Sequence, residues 1–287
     1  MEIREAIDRL SDLVKRLWSS DVLSSDGFRE WSRENESYLA ETLGYDQQSG
    51  MPPVISLIDV VYHPDLPLVL LKVTREASAR LGDDPRGWTL PVRLCRGVIF
   101  DRRGRLEALP FEKIFGYGSG HPETRKPPDS DFIATVMQDG SPGIIFPYRS
   151  KFLFARCDGS TDNKSAISQL TMDVLAERCQ WHSRYPDDVS LIVDVFPKSG
   201  VCVGESNVPD IVVVGVRNTR TLEDYEPHRF QSLAGHLGLL NTAIWGARTI
   251  DDLRRYIQDD SSRHLKGLVA KFVDGTRVKF ECRAYRP

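Results

Sequence analysis

The sequence predicts an α+β fold in which antiparallel strands predominate. Two observations support this class. From residue 54 onward the chain consists largely of short apolar runs separated by turn signals, which is typical of strands. Helical periodicity is confined to the start of the chain, one stretch in its middle and one section near its end. No internal repeat or low-complexity segment interrupts this order.

The chain begins with a predicted amphipathic helix over residues 3–18. Its apolar stripe consists of Ile3, Ile7, Leu10, Val14 and Leu17. A mixed, mostly polar segment follows, and Pro52-Pro53 marks a break. We therefore expect an N-terminal helical cap over residues 1–50 and one domain over residues 51–287, with no separate C-terminal domain.

The apolar runs that follow predict strands. They are "VISLIDVVY", "LPLVLLKV", "RGVIFD", "RLEALPF", "FIATVMQDG", "GIIFPY", "KFLFAR", "VSLIVDVF", "SGVCVGE" and "DIVVVGVRN". Helices are predicted over residues 164–181 and within roughly 229–258, where Thr249 provides an N-cap. The last 20 or so residues predict a hairpin around Asp274-Gly275, since Asp-Gly favours a tight turn between strands.

Composition excludes several classes of protein. The 38 basic and 41 acidic side chains give a net charge of −3, so a globally basic nucleic-acid binder is not indicated. The 5 cysteines are scattered and odd in number, which favours reduced thiols over a disulfide framework. No stretch approaches the roughly 20 apolar residues that a membrane span requires. We expect a cytoplasmic protein with no membrane partner.

Several motifs occur in a specific order along the chain. They are "CRGVIFD", "LPFEKIFGYGS", "VMQDGS", "FARCDGSTDNKSA", "IVDVFP", "VVVGVRNT", "KGLVAKF" and "RVKFECRAY". Their order and spacing resemble the phage-type (tRNA-repair) ATP-dependent RNA ligases of the covalent nucleotidyltransferase superfamily, from about residue 55 to the end of the chain. The resemblance implies the nucleotidyltransferase (RNA ligase-like) fold: two antiparallel-rich sheets around a nucleotide cleft, with flanking helices.

Enzymes of the family that the chain resembles transfer AMP from ATP to a lysine, then to an RNA 5′-phosphate, from which a 3′-hydroxyl displaces it. The lysine belongs to a Lys-x-Asp-Gly-Ser motif, and this chain has Met137, Asp139 and Gly140 in the matching stretch. A thioether cannot form the lysyl-AMP phosphoramidate, so covalent transfer at position 137 is chemically excluded. The alternative is that "QDGS" forms only a hairpin turn between two strands.

Two more positions of the resemblance carry the opposite charge. Lys266 precedes Gly267 where the family has Glu-Gly, and Glu281 ends a motif in which the family has Lys-x-Lys. A single substitution in an active ligase would not produce these changes together with Met137. We hypothesise that Lys266 and Glu281 form a salt bridge across the site, because the final hairpin places them near each other. The alternative is that they are two unrelated solvated side chains.

Other parts of the resemblance are retained. Arg96 and Lys113 match positions that hold the ATP phosphates, where a guanidinium can engage two oxygens and an ammonium acts as a point charge. Without the resemblance, Arg96 would be a strand-end surface charge and Lys113 a solvated loop residue. Arg156 matches a basic segment near the phosphates, although Asp158 replaces a lysine there.

The resemblance also assigns three residues around the reacting phosphate. Asp194 takes the place of a glutamate that contacts the ribose or a metal, which makes it the candidate ligand for Mg²⁺. Gly140 and Lys279 fall at nucleotide-binding positions. Arg217 in "GVRNT" is predicted to be a structural partner and not a catalyst.

These observations predict an RNA-ligase-like protein that binds ATP or another nucleotide, has lost covalent lysine adenylylation and is repurposed for non-covalent nucleotide chemistry. Mg²⁺ is a candidate cofactor, and RNA ends or a nucleotide-derived small molecule are candidate partners. Two alternatives remain open. One is an inactive module that binds RNA ends or a partner protein. The other is an active ATP-dependent RNA ligase that uses a lysine from elsewhere, such as Lys151 or Lys266.

Overall fold

The computed structural model describes most of the chain. The described residues are 1–45, 53–82, 84–125, 127–137, 139–149, 151–157, 171–173, 175–176, 186–196, 210–258 and 266–282. The predicted strand "SGVCVGE" and Asp158 lie outside them. Of the predicted helix over residues 164–181, only residues 171–173 and 175–176 are described, and these are helical.

The helices of the described residues lie mainly in the first half of the chain. They are α1 (Ile3–Ser19), α2 (Ser25–Glu34), α3 (Glu36–Leu43), α4 (Arg75–Leu81), α5 (Leu90–Leu94), α6 (Pro122–Arg125), α7 (Pro227–His236) and α8 (Ile250–Gln258). None of these helices is both long and apolar enough to cross a membrane. The predicted N-terminal helix is confirmed as α1, whose apolar stripe is buried except for Ile3, which is half-buried.

The strands form three sheets. The first sheet has the order β1-β2-β3-β4: β1 (Ile58–Tyr62), β2 (Leu68–Val73), β3 (Arg96–Asp101) and β4 (Leu106–Ala108). The second has the order β11-β10-β9-β7-β8: β7 (Ser141–Tyr148), β8 (Lys151–Arg156), β9 (Val189–Phe196), β10 (Asp210–Asn218) and β11 (Leu240–Asn241). The third has the order β12-β6-β13-β14-β5: β5 (Phe115–Gly116), β6 (Phe132–Val136), β12 (Ile244–Trp245), β13 (Gly267–Phe272) and β14 (Arg277–Glu281).

The predicted α+β class is confirmed, since all neighbouring strands in these sheets are antiparallel except β10 with β11 and β14 with β5. The final hairpin is also confirmed: β13 pairs with β14 so that Gly267 lies opposite Glu281. The helical section near residues 229–258 is two helices. Gly238 adopts a left-handed φ of 66° just after α7, which ends that helix before β11 and β12.

The predicted cap of α8 is present. The backbone N–H of Asp252 donates to the Thr249 hydroxyl at 3.1 Å, and the backbone N–H of Thr249 donates to the Asp252 carboxylate at 2.9 Å. These reciprocal bonds satisfy backbone donors that the first helical turn leaves without intrahelical partners.

One face of the second sheet contacts both of the other sheets. On the part of this face formed by β7 and β8, Ile144 and Phe146 pack against Leu70 and Ile99 of the first sheet. Ile192 lies opposite Ile144 in the register of β9 with β7, so its side chain points to this same face. The part of the same face formed by β9 and β10 is not covered by the first sheet and faces the third sheet across a cleft. Helices α1 to α3 cover the opposite face of the first sheet in one continuous apolar core.

Candidate functional site

A cavity of about 280 Å³ separates the second and third sheets. Its walls come from β9 and β10 on one side and from β6, β13 and β14 on the other. Apolar and aromatic groups form most of the lining, including Phe111, Tyr225 and Phe230. The charged lining residues are Arg96, Glu112, Asp194, Asp224, Lys271, Arg277 and Lys279. A concave apolar pocket with a few convergent polar groups is the usual form of a small-ligand site.

Buried ion pairs close one side of this cleft. Arg217 on β10 donates to both carboxylate oxygens of Glu112, at 3.1 and 3.2 Å, and to Asp224 at 2.9 Å. Arg277 on β14 hydrogen-bonds Asp224 and lies 3.7 Å from Glu112, and Lys271 on β13 lies 3.3 Å from Asp224. We call these five residues the buried ion network. It joins the second sheet to the third.

Electrostatics within the network favour ionised carboxylates. Burial by itself raises the pKa of Asp224, but Arg277, Arg217 and Lys271 together reverse this effect and hold the pKa below its ordinary value. Arg217 is 3% exposed, and its guanidinium donates to two carboxylates and to the Pro110 carbonyl at 3.0 Å. The contacts agree with the prediction that Arg217 is a structural partner.

Phe111 lies over both buried guanidinium groups. Its ring centroid is 4.0 Å from the guanidinium carbon of Arg277 and 5.5 Å from that of Arg217. This position requires Gly215 on β10, because a Cβ there would lie 2.3 Å from the Phe111 ring. The glycine therefore permits the close approach that places an aromatic surface beside the cations.

The chain crosses between the two cleft sheets at the motif that contains Met137. β6 belongs to the third sheet and β7 to the second, so the segment between them is not a hairpin turn, and that alternative is wrong. Met137 lines the cleft, and its backbone N–H donates to the Gly267 carbonyl at 2.9 Å. A Cβ at Gly140 would lie 2.9 Å from Asp194 Cβ. Glycine at this position lets the crossing segment pass close to β9.

The predicted salt bridge between Lys266 and Glu281 is wrong. Lys266 Nζ instead donates to the Asp139 carboxylate at 2.7 Å, and Glu281 accepts from Lys279 Nζ at 3.3 Å. The crossing segment explains this result, because it brings Asp139 alongside the residue that precedes β13. Lys266 and Glu281 therefore have separate partners: the Lys266 amine is bound by Asp139, and the Lys279 amine is bound by Glu281.

Asp194 lies on β9 in the wall of the cleft. Burial raises its pKa to about 7, from an ordinary value of 3.8; Lys266 opposes the shift, and the Asp139 carboxylate adds to it. A carboxyl group with a pKa near neutrality can both accept and donate a proton.

Of the remaining predicted site residues, some line the cleft and others do not. Arg96 begins β3, is exposed and lines the cleft. Lys113 is not among the described residues that line the cleft. Its ammonium lies 4.3 Å from the ring centroid of Trp88 and 5.3 Å from that of Phe115. Arg156 lies opposite Gly143 at the end of β8 and is not among the described lining residues. Lys151 starts β8 at its far end, so the structure gives it no access to the cleft.

The side chains of the cleft do not form a metal cage by themselves. The described residues contain no group of three His, Cys, Asp or Glu side chains arranged to hold a metal ion. Asp139 is bound to Lys266, and the other two lining carboxylates belong to the buried ion network, so among the described lining residues Asp194 is the carboxylate that could meet a metal. Mg²⁺ commonly enters sites with one or two carboxylates together with substrate phosphates, so this donor set fits only an ion that arrives with such a ligand.

Sequence reasoning missed most of the buried ion network. One signal was available in the sequence, because alternate residues of a strand share a face. Val269 and Lys271 are two positions apart on one strand, and Arg277 and Lys279 are two positions apart on the next. These four residues all line the cleft. Asp224 had no such signal, since it lies in a loop whose position depends on its contact with Arg217.

The sequence matches none of the known protein-family models and is significantly similar to none of the curated proteins. Solved structures are similar in fold. One form of an archaeal ATP-dependent RNA ligase matches with a TM-score of 0.55 at 14% identity, over 78% of this chain and 58% of the ligase. A candidate ATP-dependent DNA ligase from Aquifex aeolicus matches with a TM-score of 0.52 at 15% identity, over 78% of this chain and 59% of that chain.

These similarities show that the chain has the nucleotidyltransferase fold of the ATP-dependent RNA and DNA ligases. It spans a little under three fifths of the length of the two proteins compared. The expected fold with two antiparallel-rich sheets around a cleft is confirmed, but the described strands form a third sheet as well. This additional sheet, β1 to β4, is covered by helices α1 to α3 and packs beside the cleft on the face of the second sheet that also meets the cleft.

The buried ion network makes a prediction about stability. Asp224→Asn should lower the free energy of unfolding by roughly 3 kcal/mol or more, because it leaves buried cations without their shared carboxylate. Chemical denaturation of the variant and the wild type measures this difference. Asp251→Asn is the matched control, since Asp251 is exposed on α8 and its loss should change the value by less than about 0.5 kcal/mol. Equal effects of the two substitutions would contradict a stabilising role for the network.

The raised pKa of Asp194 makes a prediction about pH. Because the folded protein binds this proton more tightly than the unfolded chain, the stability that the group contributes is lost as pH rises from 3.8 to about 7. Asp194→Asn removes this titration. The variant should therefore gain stability relative to the wild type across that interval, as measured by thermal unfolding over a pH series. A difference that does not change with pH would contradict the assignment.

Proposed function

We propose that the cleft binds ATP or another nucleotide and that the protein does not form a covalent lysyl-AMP intermediate at position 137. The observation that carries this proposal is the combination of Met137 in the cleft wall with two nearby lysines whose amines are bound by carboxylates. The cleft keeps a cationic lining, while the position that would supply the nucleophile has no amine.

Charge and surface chemistry support nucleotide binding. Arg96, Lys271, Arg277 and Lys279 line the cleft and provide positive charge for phosphate groups. The aromatic groups of the lining offer flat apolar surface to a base. Arg96 is exposed and can reorient toward a ligand, whereas Arg277 is fixed in the buried ion network.

Non-covalent nucleotide chemistry is a second candidate, and Asp194 favours it. With a pKa of about 7, its carboxylate can take the proton from a hydroxyl or water that attacks a phosphate of the bound nucleotide. The new bond forms between that oxygen and phosphorus, and the bond to the leaving phosphate breaks. The cationic lining would stabilise the charge on the leaving group. If Asp194 instead held a Mg²⁺ ion that accompanied the phosphates, the ion would neutralise phosphate charge and Asp194 would not act as the base.

The fold relatives are described as ATP-dependent RNA and DNA ligases, and this likeness supports RNA ends or a nucleotide-derived small molecule as the acceptor. The alternative of an active ligase with a relocated nucleophile now rests on Lys266. Its ammonium is bound to Asp139 in the segment that carries Met137. An amine engaged by a carboxylate is not positioned to attack phosphorus until that contact is broken.

The experiment that tests the proposal is incubation of the protein with magnesium and α-labelled ATP. We expect no label on the protein after denaturing electrophoresis, because a thioether cannot hold AMP. Chromatography of the same reaction separates the candidates. New soluble products would support non-covalent chemistry, and ATP that is retained without products would support binding alone.

Two variants make the result decisive. Label on the unmodified protein would contradict the proposal, and its disappearance in Lys266→Met would identify Lys266 as the nucleophile. Met137→Lys restores an amine at the crossing segment. Label on this variant would show that Met137 is the only obstacle to covalent transfer, whereas its absence would show that at least one further departure from the ligase motifs also prevents it.

A further inference from the structure

A second cavity lies at the other end of the strands that lead into the cleft. It has a volume of about 570 Å³, and its lining includes Arg102, Arg103, Arg105 and Arg149. Arg96 at the start of β3 lines the cleft, and Asp101 at its end lines the second cavity. At about 3.3 Å per residue, five residues separate the two sites by roughly 17 Å.

Asp101 organises the turn between β3 and β4 that carries three of these arginines. Its carboxylate accepts hydrogen bonds from the backbone N–H groups of Arg103 and Arg105, at 2.8 and 2.9 Å, and from Arg105 Nε at 2.8 Å. The carboxylate is therefore engaged by the turn and by Arg105.

Helix α1 also holds the turn between β3 and β4 in place. The Ser11 hydroxyl donates to the Gly104 carbonyl at 2.7 Å, and a Cβ at Gly104 would lie 2.5 Å from that hydroxyl. Gly104 also has a left-handed φ of 74°. The turn is thus held in one conformation and presents Arg102 and Arg103 to solvent, so little conformational entropy of the backbone would be lost on binding.

The turn between β7 and β8 supplies the fourth arginine. Arg149 has a φ of 48°, a left-handed conformation that costs a non-glycine residue on the order of 1 kcal/mol or more. Its guanidinium carbon lies 5.2 Å from the centroid of the Tyr148 ring. Glycine or asparagine would suit this backbone better, so an arginine here points to a use for its side chain.

Charge is not balanced around this cavity. Arg105 pairs with Asp101 and also lies 3.7 Å from Glu107. Among the described residues, no carboxylate forms an ion pair with Arg102, Arg103 or Arg149. The lining also includes the carboxylates of Glu107 and Asp187, and Glu107 interacts electrostatically with Arg149. The four guanidinium groups of the lining therefore outnumber its three carboxylates, and Arg102 and Arg103 are in no ion pair among the described residues.

We infer that this arginine-lined cavity is a second anion site, separate from the cleft, that binds backbone phosphates of a nucleic acid strand. Guanidinium forks match phosphate oxygens in pairs, and several of them at one site suit a ligand that carries successive phosphates. A membrane surface fits less well, because membrane binding needs exposed apolar side chains that can insert among lipids. The apolar residues of this lining are Tyr148, which is buried, and the two prolines Pro67 and Pro147.

The test is fluorescence anisotropy of a labelled single-stranded RNA over a series of salt concentrations. In Arg102→Ala/Arg103→Ala we expect the affinity to fall about tenfold or more. The slope of log affinity against log salt should decrease by about 1.4, since each phosphate contact of a single strand contributes about 0.7. ATP retention by the cleft should not change, which separates this inference from the proposed function.

Arg29→Ala/Arg33→Ala is the matched control, because it removes two exposed arginines of α2 outside the cavity lining. No RNA binding by the wild type, an unchanged slope in the cavity variant, or an equal loss in the control would overturn the inference. So would arginine-dependent binding to vesicles of phosphatidylcholine and phosphatidylserine without RNA binding, or equal competition by free pyrophosphate, which would indicate a small-anion site.

Arg149→Gly distinguishes binding from folding. Glycine relieves the left-handed strain, so the melting temperature should stay the same or rise while RNA affinity falls. A variant with wild-type RNA affinity would show that Arg149 takes no part in the site. A lower melting temperature together with weaker binding would instead assign Arg149 a structural role and remove it from the inference.

Discussion

The buried ion network is the constraint on which the cleft depends. Glu112 and Asp224 hold Arg217 of the second sheet and Arg277 of the third, so the two sheets share the same pair of carboxylates. Charges removed from water need partners in good geometry, and any shift of one sheet against the other would break several of these contacts at once. The network therefore fixes the distance between the sheets, and that distance sets the width of the cavity.

The same charges support the proposal that the cleft binds an anion without a lysine nucleophile. The three basic residues of the network outnumber its two acids, and Lys271 and Arg277 both face the cavity. On the same side of the cleft, the amines of Lys266 and Lys279 are bound by Asp139 and Glu281. Positive charge is thus retained where phosphates would lie, while a free amine is absent from the described crossing segment. Covalent transfer is missing from the proposal because Met137 has no amine, whereas Lys271 and Arg277 line the cavity as cations although both also pair with Asp224.

Much of the fold follows from local sequence, whereas the pairing of distant charges does not. Alternating apolar residues locate most of the strands, and Thr249 with Asp252 locates the start of α8. The partner of Lys266 was predicted wrongly, because hairpin register gives only the neighbours within one sheet. Asp139 reaches Lys266 through a segment that changes sheets, and no short-range pattern in the sequence encodes that crossing. Asp224 has the same difficulty, since its loop is placed by a residue on another strand.

The central claim is that a nucleotide binds reversibly between the two sheets. Calorimetric titration of the unmodified protein with ATP, followed by intact-protein mass spectrometry of the recovered sample, tests it most directly. We predict saturable binding to one site, weakened when Lys271 is replaced by methionine, and a recovered mass equal to that of the starting protein. No measurable binding, or binding that Lys271→Met leaves unchanged, would contradict a nucleotide site in this cleft. A mass increase equal to one AMP would contradict the claim that binding is non-covalent.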